Sequence, residues 1–322
     1  VRFVVYGAGA IGGVVGARLI EQGYEVGLIA RGAHGRMIAE HGLRLESPTG
    51  SATLNPAVVA ERPQEIEWRD DDVVLLAVKS QDTPGAMTDL AGCAPPTVAI
   101  ACLQNGVANE RMALRFFANV YGVKVVCPAT HLEPGEVIAH GFPIAGIFDV
   151  GRYPSGRDEV ADALGDAFNA SSMASIVRPD IMRWKYAKLV HMNLSNAVDA
   201  LCGGHARQGA VTALIREEGM AVTRAAGIDV ASPDEDTRRV QSEDVPGRAR
   251  GGSSSWQSLA RSAGSIETDY LNGEIVLLGR LHGVPTPVNE YVRRLANQAA
   301  REKWPPGSVS EPDILQGVQR VE

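Results

Sequence analysis

The first thirty-one residues alternate between apolar runs and glycine-rich or polar breaks. "RFVVY" is a short apolar run and "GAGAIGG" follows it at once. "VVGARLIEQG" then carries apolar residues at helical spacing ahead of a second run, "EVGLIAR". This order predicts strand, tight turn, helix and strand, a βαβ unit of ordinary length. Further apolar runs at 72–79 and 97–106 stand where buried parallel strands are expected, and 118–127 and 171–179 read as later strands. Strands with intervening helices predict an open, doubly wound α/β sheet. Beyond Pro179 the period changes, and residues 181–301 read almost wholly as helix. Two domains are therefore predicted: a Rossmann-type parallel-sheet domain over 1–177 and an all-helical domain over 178–322. The proline-rich tail from residue 302 reads as a surface extension, and "DEDTRRVQSED" reads as a solvated helix or loop.

The glycine turn is the first candidate for chemistry. Gly7, Gly9 and Gly12 stand directly after a strand and before a helix, the context that a dinucleotide-binding turn requires. Gly7 permits the tight turn, Gly9 lets the backbone approach a pyrophosphate, and Gly12 allows close packing of helix on strand. The helix N-terminus, at Ala10 and Ile11, would face the phosphates with unpaired N–H groups. The second strand ends without the acid that bonds the ribose of NAD; Arg31 stands there instead. An arginine suits a 2′-phosphate through forked, charge-assisted hydrogen bonds, and Lys79 at the end of "LLAVK" can assist. NADP(H) is the expected cofactor, the alternative being that Arg31 merely ends a strand in solvent.

A nicotinamide cofactor delivers hydride, so a separate group must handle the proton. In "WKYAKLVHMNLSNAV", wound at about 100° per residue, Lys188, Met192, Ser195 and Asn196 fall on one side, with His191 at its border. Much of the remaining circumference is apolar, the pattern of a buried helix, where an unpaired lysine is rare. Glu267 falls near the start of another helix in "SIETDYLNGEIVLLGRLHGVPTPVNEYV". A lysine and a carboxylate together can hold an ammonium that gives a proton to a forming alkoxide. On periodicity alone, a surface lysine and a solvated glutamate fit equally well.

Composition narrows the classes. A chain of 322 residues with 45% hydrophobic content suits two packed domains, and a net charge of −7 argues against nucleic acid or anionic membrane as partner. The uncharged run 90–109 is interrupted by Pro95, Pro96, Gln104 and Asn105, so no membrane span is expected. Cys93, Cys102, Cys127 and Cys202 lie far apart without a CxxC pair, which suits a reducing cytoplasm. His131, His140 and His282 lack metal-ligand spacing, and no metal is predicted.

The segments "GAGAIGG", "VKSQ", "QNGVANE", "WKYAKLVHMNLSNAV", "SSSWQSLAR" and "IETDYLNGEIVLLGRLHGVPTPVNEYV" together resemble the ketopantoate reductase (2-dehydropantoate 2-reductase) family over nearly the whole chain. The resemblance implies NADPH-dependent reduction of a 2-keto acid to a 2-hydroxy acid, with 2-dehydropantoate and pantothenate biosynthesis foremost. It implies Lys188 as general acid and Glu267 bonding the substrate hydroxyl. It also implies Asn105 near nicotinamide and lysine, Ser255 on the substrate carboxylate, Asn196 lining the pocket, and Arg31 and Lys79 at the 2′-phosphate. A homodimer is compatible with it. The family pattern Lys-Leu-x-x-Asn is broken, because Met192 occupies the place of the substrate-binding Asn. Asn193 stands next to it, about 140° around an α-helix from Lys188. Met192 therefore enters the substrate site and suggests a more apolar keto acid. The alternatives are a reductase or dehydrogenase of the same fold for another hydroxy acid and, further off, a non-catalytic NADP-binding sensor.

Overall fold

The computed structural model describes residues 1–204, 208–243, 245, 248 and 251–320. The chain forms two compact units. The first comprises Val1–Gln104, Asn109–Met182 and Arg238–Arg250; the second comprises Asn105–Ala108, Arg183–Thr237 and Gly251–Glu322.

In the first unit the strands are β1 (Arg2–Tyr6), β2 (Val26–Ile29), β3 (Leu43–Ser47), β4 (Gly50–Leu54), β5 (Val58–Ala60) and β6 (Asp72–Leu76). There follow β7 (Ala99–Cys102), β8 (Asn119–Val126), β9 (Ala129–Thr130), β10 (Glu136–Ala139), β11 (Gly141–Phe142), β12 (Ile147–Arg152) and, much later in the chain, β13 (Gln241–Ser242). Its helices are α1 (Ala10–Glu21), α2 (Gly32–His41), α3 (Thr83–Ala91), α4 (Asn109–Ala113) and α5 (Glu159–Ala170). The main sheet runs β12-β8-β7-β6-β1-β2-β5, with every neighbouring pair parallel except β8 and β12.

The strands are continuously apolar because both faces are covered. Val5, Leu28, Leu75 and Ala101 join a core with Val14, Val15 and Leu19 of α1. Val4, Ile29, Leu76 and Cys102 join another with Met87 and Leu90 of α3. Strand order reverses between β1 and β6, which puts the glycine turn after β1 at the switch point where ligands of such sheets bind.

Three features depart from the sequence expectation. The run at 171–179 forms no continuous strand, although it lies parallel to β12: Ala174 bridges Ile147, Val177 bridges Val150, and backbone bonds join Ala174 to Gly146 and Phe148, Ile176 to Val150 and Arg178 to Val150. A second sheet, β4-β3-β10-β9, was not anticipated; its Val137 lies against α1, where a Cβ on Gly13 would stand 2.6 Å from Val137 Cγ1. The single boundary at 177/178 is also too simple. Residues from Arg238 onward return to the first unit, where β13 pairs with β11 and Arg238 bonds Asp149, a carboxylate with no solvent exposure. The charged segment read as solvated is anchored through its arginine.

The second unit contains α6 (Ile181–Lys188), α7 (Ser195–Cys202), α8 (Ala210–Ala225), α9 (Ser254–Ala260), α10 (Asn272–His282), α11 (Pro287–Arg301) and α12 (Glu311–Gln319). A π turn, Leu189–Asn193, joins α6 to α7, and a 3₁₀ turn, Glu267–Tyr270, precedes α10. The tail is built into this unit instead of extending from it. Gly307 and Val309 donate backbone N–H groups to the Ala200 and Leu201 carbonyls, and Glu311 accepts from the Val211 N–H at the start of α8. Among the described residues no helix is long and apolar enough to cross a membrane.

Candidate active site

The first unit carries the turn predicted to bind a dinucleotide, and its three glycines differ in what they permit. Gly7 has φ of +101°, a conformation that L side chains rarely adopt. A Cβ on Gly12 would fall 2.1 Å from the Gly7 carbonyl and 2.8 Å from Val5 Cγ1, so helix and strand meet there without room for a side chain. A Cβ on Gly9 would meet nothing within 4 Å. Gly9 is also the N-cap of α1 and offers no side-chain cap to the N–H groups of the first turn, at Ala10 and Ile11. An open cradle at a helix N-terminus is what a pyrophosphate fits. Arg31 is exposed at the N-cap of α2, and Lys79 is half-buried just past β6.

Buried polar groups hold the loops after β6 and β7. Asn109 Nδ2 donates to Ser80 Oγ, Thr83 Oγ1 donates to Asn109 Oδ1, and Gln104 Nε2 donates to Thr83 Oγ1. All four residues are buried, so each bond also prevents the desolvation cost of an unmade one. They fix the loop that carries Lys79 and the chain that leads to Asn105. The sequence contained the signal in "VKSQDT" and "QNGVANE", but apolar periodicity assigns no role to a buried Ser, Thr or Asn.

The second unit carries the residues predicted to handle the proton. Lys188 Nζ donates to Asn105 Oδ1 at 2.5 Å, 83 residues away in the chain. Next to Asn105, Gly106 has φ of +79°, and a Cβ there would stand 2.8 Å from the Tyr270 carbonyl. The Asn105 loop thus abuts the turn that begins with Glu267, itself only 5% exposed. Beneath that turn, Thr268 Oγ1 donates to Asn272 Oδ1, while Asn272 Nδ2 donates to the Leu194 carbonyl and to Asn289 Oδ1. Asn289 in turn bonds the Ile215 carbonyl and Glu218. The asparagines of "DYLNG" and "TPVNE" are therefore struts that tie the Glu267 turn to the helix bearing Lys188. Ser253 caps α9 and ties it to α7: its N–H donates to Asp199 and its Oγ to the Asn196 carbonyl. That bond puts Ser255 and Asn196, both buried, on neighbouring helices.

The helical wheel drawn from the sequence fails immediately after Lys188. The Leu194 N–H bonds the Leu189 carbonyl five residues back at 3.1 Å, closing the π turn. In an α-helix the fourth residue beyond Lys188 shares its face; a turn closing one residue later passes that place to the fifth. Asn193, set aside at 140° on an α-helical wheel, takes the position expected of the family's asparagine. Its side chain is buried and its Oδ1 has no hydrogen-bond partner among the described residues, whereas Met192 is 47% exposed. The extra residue in "KLVHMN" is absorbed as a π turn. His191, also in this turn, is held below its ordinary pKa by burial, against a bond to the Ala231 backbone.

Comparison with known proteins agrees with this layout. The family model for ketopantoate reductase PanE/ApbA matches residues 3–155, and the model for its C-terminal region matches residues 180–300. The 2-dehydropantoate 2-reductase of Pyrococcus horikoshii is 27% identical over 297 residues, covering 89% of this chain and 94% of its own. That of Halobacterium salinarum is 29% identical over 318 residues, covering 94% and 99%. Among solved structures, a PanE/ApbA family ketopantoate reductase from Ralstonia eutropha shares 27% identity and a TM-score of 0.78, over 94% of this chain and 99% of that one. A D-mandelate dehydrogenase solved with NADH and anilino(oxo)acetate has the same fold, with a TM-score of 0.80 at 22% identity over 94% and 99% of the two chains. With both models matched in order along most of its length, the chain belongs to the ketopantoate reductase family and is an oxidoreductase acting on CH–OH groups, a keto-acid reductase.

Proposed function

We propose that the protein reduces 2-dehydropantoate to pantoate with NADPH, a step of pantothenate biosynthesis, and that Lys188 is the general acid. The observation that carries this reading is the Lys188–Asn105 hydrogen bond, formed on a loop that abuts the Glu267 turn in a chain whose relatives are 2-dehydropantoate 2-reductases. When bound, NADPH supplies the hydride that adds to C2 of the keto acid. Gly9 and the first turn of α1, at Ala10 and Ile11, would hold its pyrophosphate, and Arg31 and Lys79 its 2′-phosphate.

The chain's own residues handle the rest. Asn105 Oδ1 accepts a hydrogen bond from one ammonium N–H of Lys188 and so orients the group, leaving its other N–H groups for the substrate oxygen. As C2 becomes tetrahedral, Lys188 gives a proton to the forming alkoxide and is left neutral until solvent reprotonates it. Glu267, buried at the start of the turn that the Asn105 loop abuts, would bond the substrate hydroxyl. The unpartnered Oδ1 of buried Asn193 accepts from a substrate hydroxyl. Ser255 and Asn196 receive the carboxylate. A second reading, a bulkier or more apolar 2-keto acid, holds if Met192 and not Asn193 lines the substrate. The test is oxidation of NADPH, and of NADH beside it, with 2-dehydropantoate and a panel of aryl and branched 2-keto acids. Fast turnover of 2-dehydropantoate with NADPH is the expected result. Turnover confined to an aryl keto acid would overturn the substrate and keep the chemistry.

A further inference from the structure

His34 lies on α2, outside every group given a role above. Its imidazole bridges two segments far apart in sequence. The Gly135 N–H donates to Nδ1 at 2.9 Å, and Nε2 lies 2.8 Å from the Ala8 carbonyl. The tautomer follows from these partners. A backbone N–H can only donate, so Nδ1 must be the bare acceptor and Nε2 must carry the proton it gives to Ala8. The approach is built in on both sides. Gly135 has φ of +81°, and a Cβ there would stand 3.0 Å from Met37 Cβ, so only glycine brings its N–H this close to α2. The His131 ring lies tilted against His34, its plane turned by 49° and the centroids 4.1 Å apart, and its own Nδ1 is held at 3.0 Å by the Glu136 carbonyl.

Ala8 is the residue between Gly7 and Gly9. In a planar trans peptide the carbonyl of one residue and the N–H of the next point in opposite directions. A bond that fixes the Ala8 carbonyl therefore fixes the Gly9 N–H on the other side of the same plane, at the open cradle. We propose that His34 is the positioning residue of the dinucleotide turn: by holding the Ala8 carbonyl against the Gly135 loop, it aims the Gly9 N–H at the cofactor pyrophosphate. The proposal rests on the reading that this turn binds NADPH.

A pH dependence follows. Protonated His34 carries a donor on both nitrogens, so Nδ1–H would face the Gly135 N–H and the bridge would open. Burial holds the His34 pKa below its ordinary value of 6.5, opposed in part by the bond to Ala8. The neutral, bridging form thus persists through neutral pH and is lost as pH falls through that depressed value. Around the ring, the β9–β10 loop brings His131 and Glu133, and β10 begins with Glu136, whose carboxylate pairs with Arg44 and Arg248. Helix α2 brings Arg36 and, at its cap, Arg31, and the glycine turn brings no titratable side chain.

The test is calorimetric titration with NADP⁺, which is stable in acid, on the wild type, His34→Phe and His34→Gln between about pH 8 and pH 5.5. Phenylalanine keeps the ring and loses both bonds; glutamine keeps a donor and an acceptor and cannot protonate. His34→Phe should bind about tenfold more weakly at neutral pH, the loss of one net hydrogen bond. Its kcat at saturating cofactor and its KM for the keto acid should not change. His34→Gln should bind nearly as the wild type at neutral pH and keep its affinity in acid, where the wild type weakens. Wild-type affinity in a folded His34→Phe overturns the proposal. So does an acid loss that runs parallel in the wild type and His34→Gln, which assigns it to the cofactor's own phosphate. A wild type that binds no NADP⁺ at any pH would instead remove the NADPH reading on which the proposal rests.

Discussion

At the dinucleotide turn each glycine answers to one backbone constraint: a left-handed φ at Gly7, open space at Gly9, helix-to-strand contact at Gly12. Around Lys188 no residue answers to a single rule. The lysine's bond to Asn105 spans 83 positions, and its neighbours on the helix are set by a turn that departs from α geometry. The first site is built from backbone and repeats wherever the strand–turn–helix pattern does. The second is built from side chains whose partners come from elsewhere in the chain. Damage to the first should therefore appear in cofactor affinity, and damage to the second in turnover.

The sharpest way to break that division is Lys188→Ala. It should lower kcat by about two to four decades, the range for a positioned general acid, while NADP⁺ affinity measured by calorimetry stays within twofold or so of wild type. A variant that turns over at a near-normal rate would remove Lys188 from the chemistry. One that loses cofactor affinity as well would show that the two sites are not separable.

Asn193 gives the next largest effect and tests the π turn directly. Asn193→Ala should cost about one to two decades in kcat/KM for the keto acid, as a buried acceptor lost to the substrate. Deleting Met192 restores the Lys-Leu-x-x-Asn spacing, and the helix can then run on without the five-residue turn. That variant should keep activity within about tenfold of wild type and should not lose thermal stability. If the deletion is inactive while Asn193→Ala is unaffected, the shifted register is wrong and Met192 is the residue that lines the substrate.

The same contrast explains what a reader of the sequence can and cannot see. The parallel strands at 72–76, 99–102 and 119–126 were legible because burial on both faces leaves nothing but apolar residues. The run at 171–179 is less apolar, with three serines and an arginine, and it pairs parallel to β12 in an interrupted ladder, broken where the Ile176 N–H bonds the Asp149 carboxylate. The sheet of β3, β4, β9 and β10 was missed because its strands are short and mixed in character, with Glu46 and Glu136 gathering Arg44 and Arg248. Charged residues that pair across long sequence distances look like solvated surface; Arg238 on Asp149 and Glu311 at the start of α8 both read that way. Lys188 and Glu267 were visible as candidates, but the struts Asn272 and Asn289 and the clamp at His34 were not. A buried polar group has meaning only through its partner.

The smallest effect separates fold from binding within the glycine turn itself. Gly12→Ala puts a methyl 2.1 Å from the Gly7 carbonyl, against backbone that cannot move without shifting β1. It should lower the melting temperature by a few degrees, as overpacking of about 1–3 kcal/mol does in a chain of this size, and weaken the cofactor only through that distortion. Gly9→Ala puts its methyl into open space, so the melting temperature should not change. Its NADP⁺ affinity should nevertheless fall about tenfold, because that open space is where the pyrophosphate approaches the backbone. Melting curves and calorimetric titrations of the two variants side by side decide the matter. If Gly9→Ala binds NADP⁺ as the wild type does, the space above Gly9 is not a phosphate cradle, and the cofactor lies elsewhere along the sheet edge.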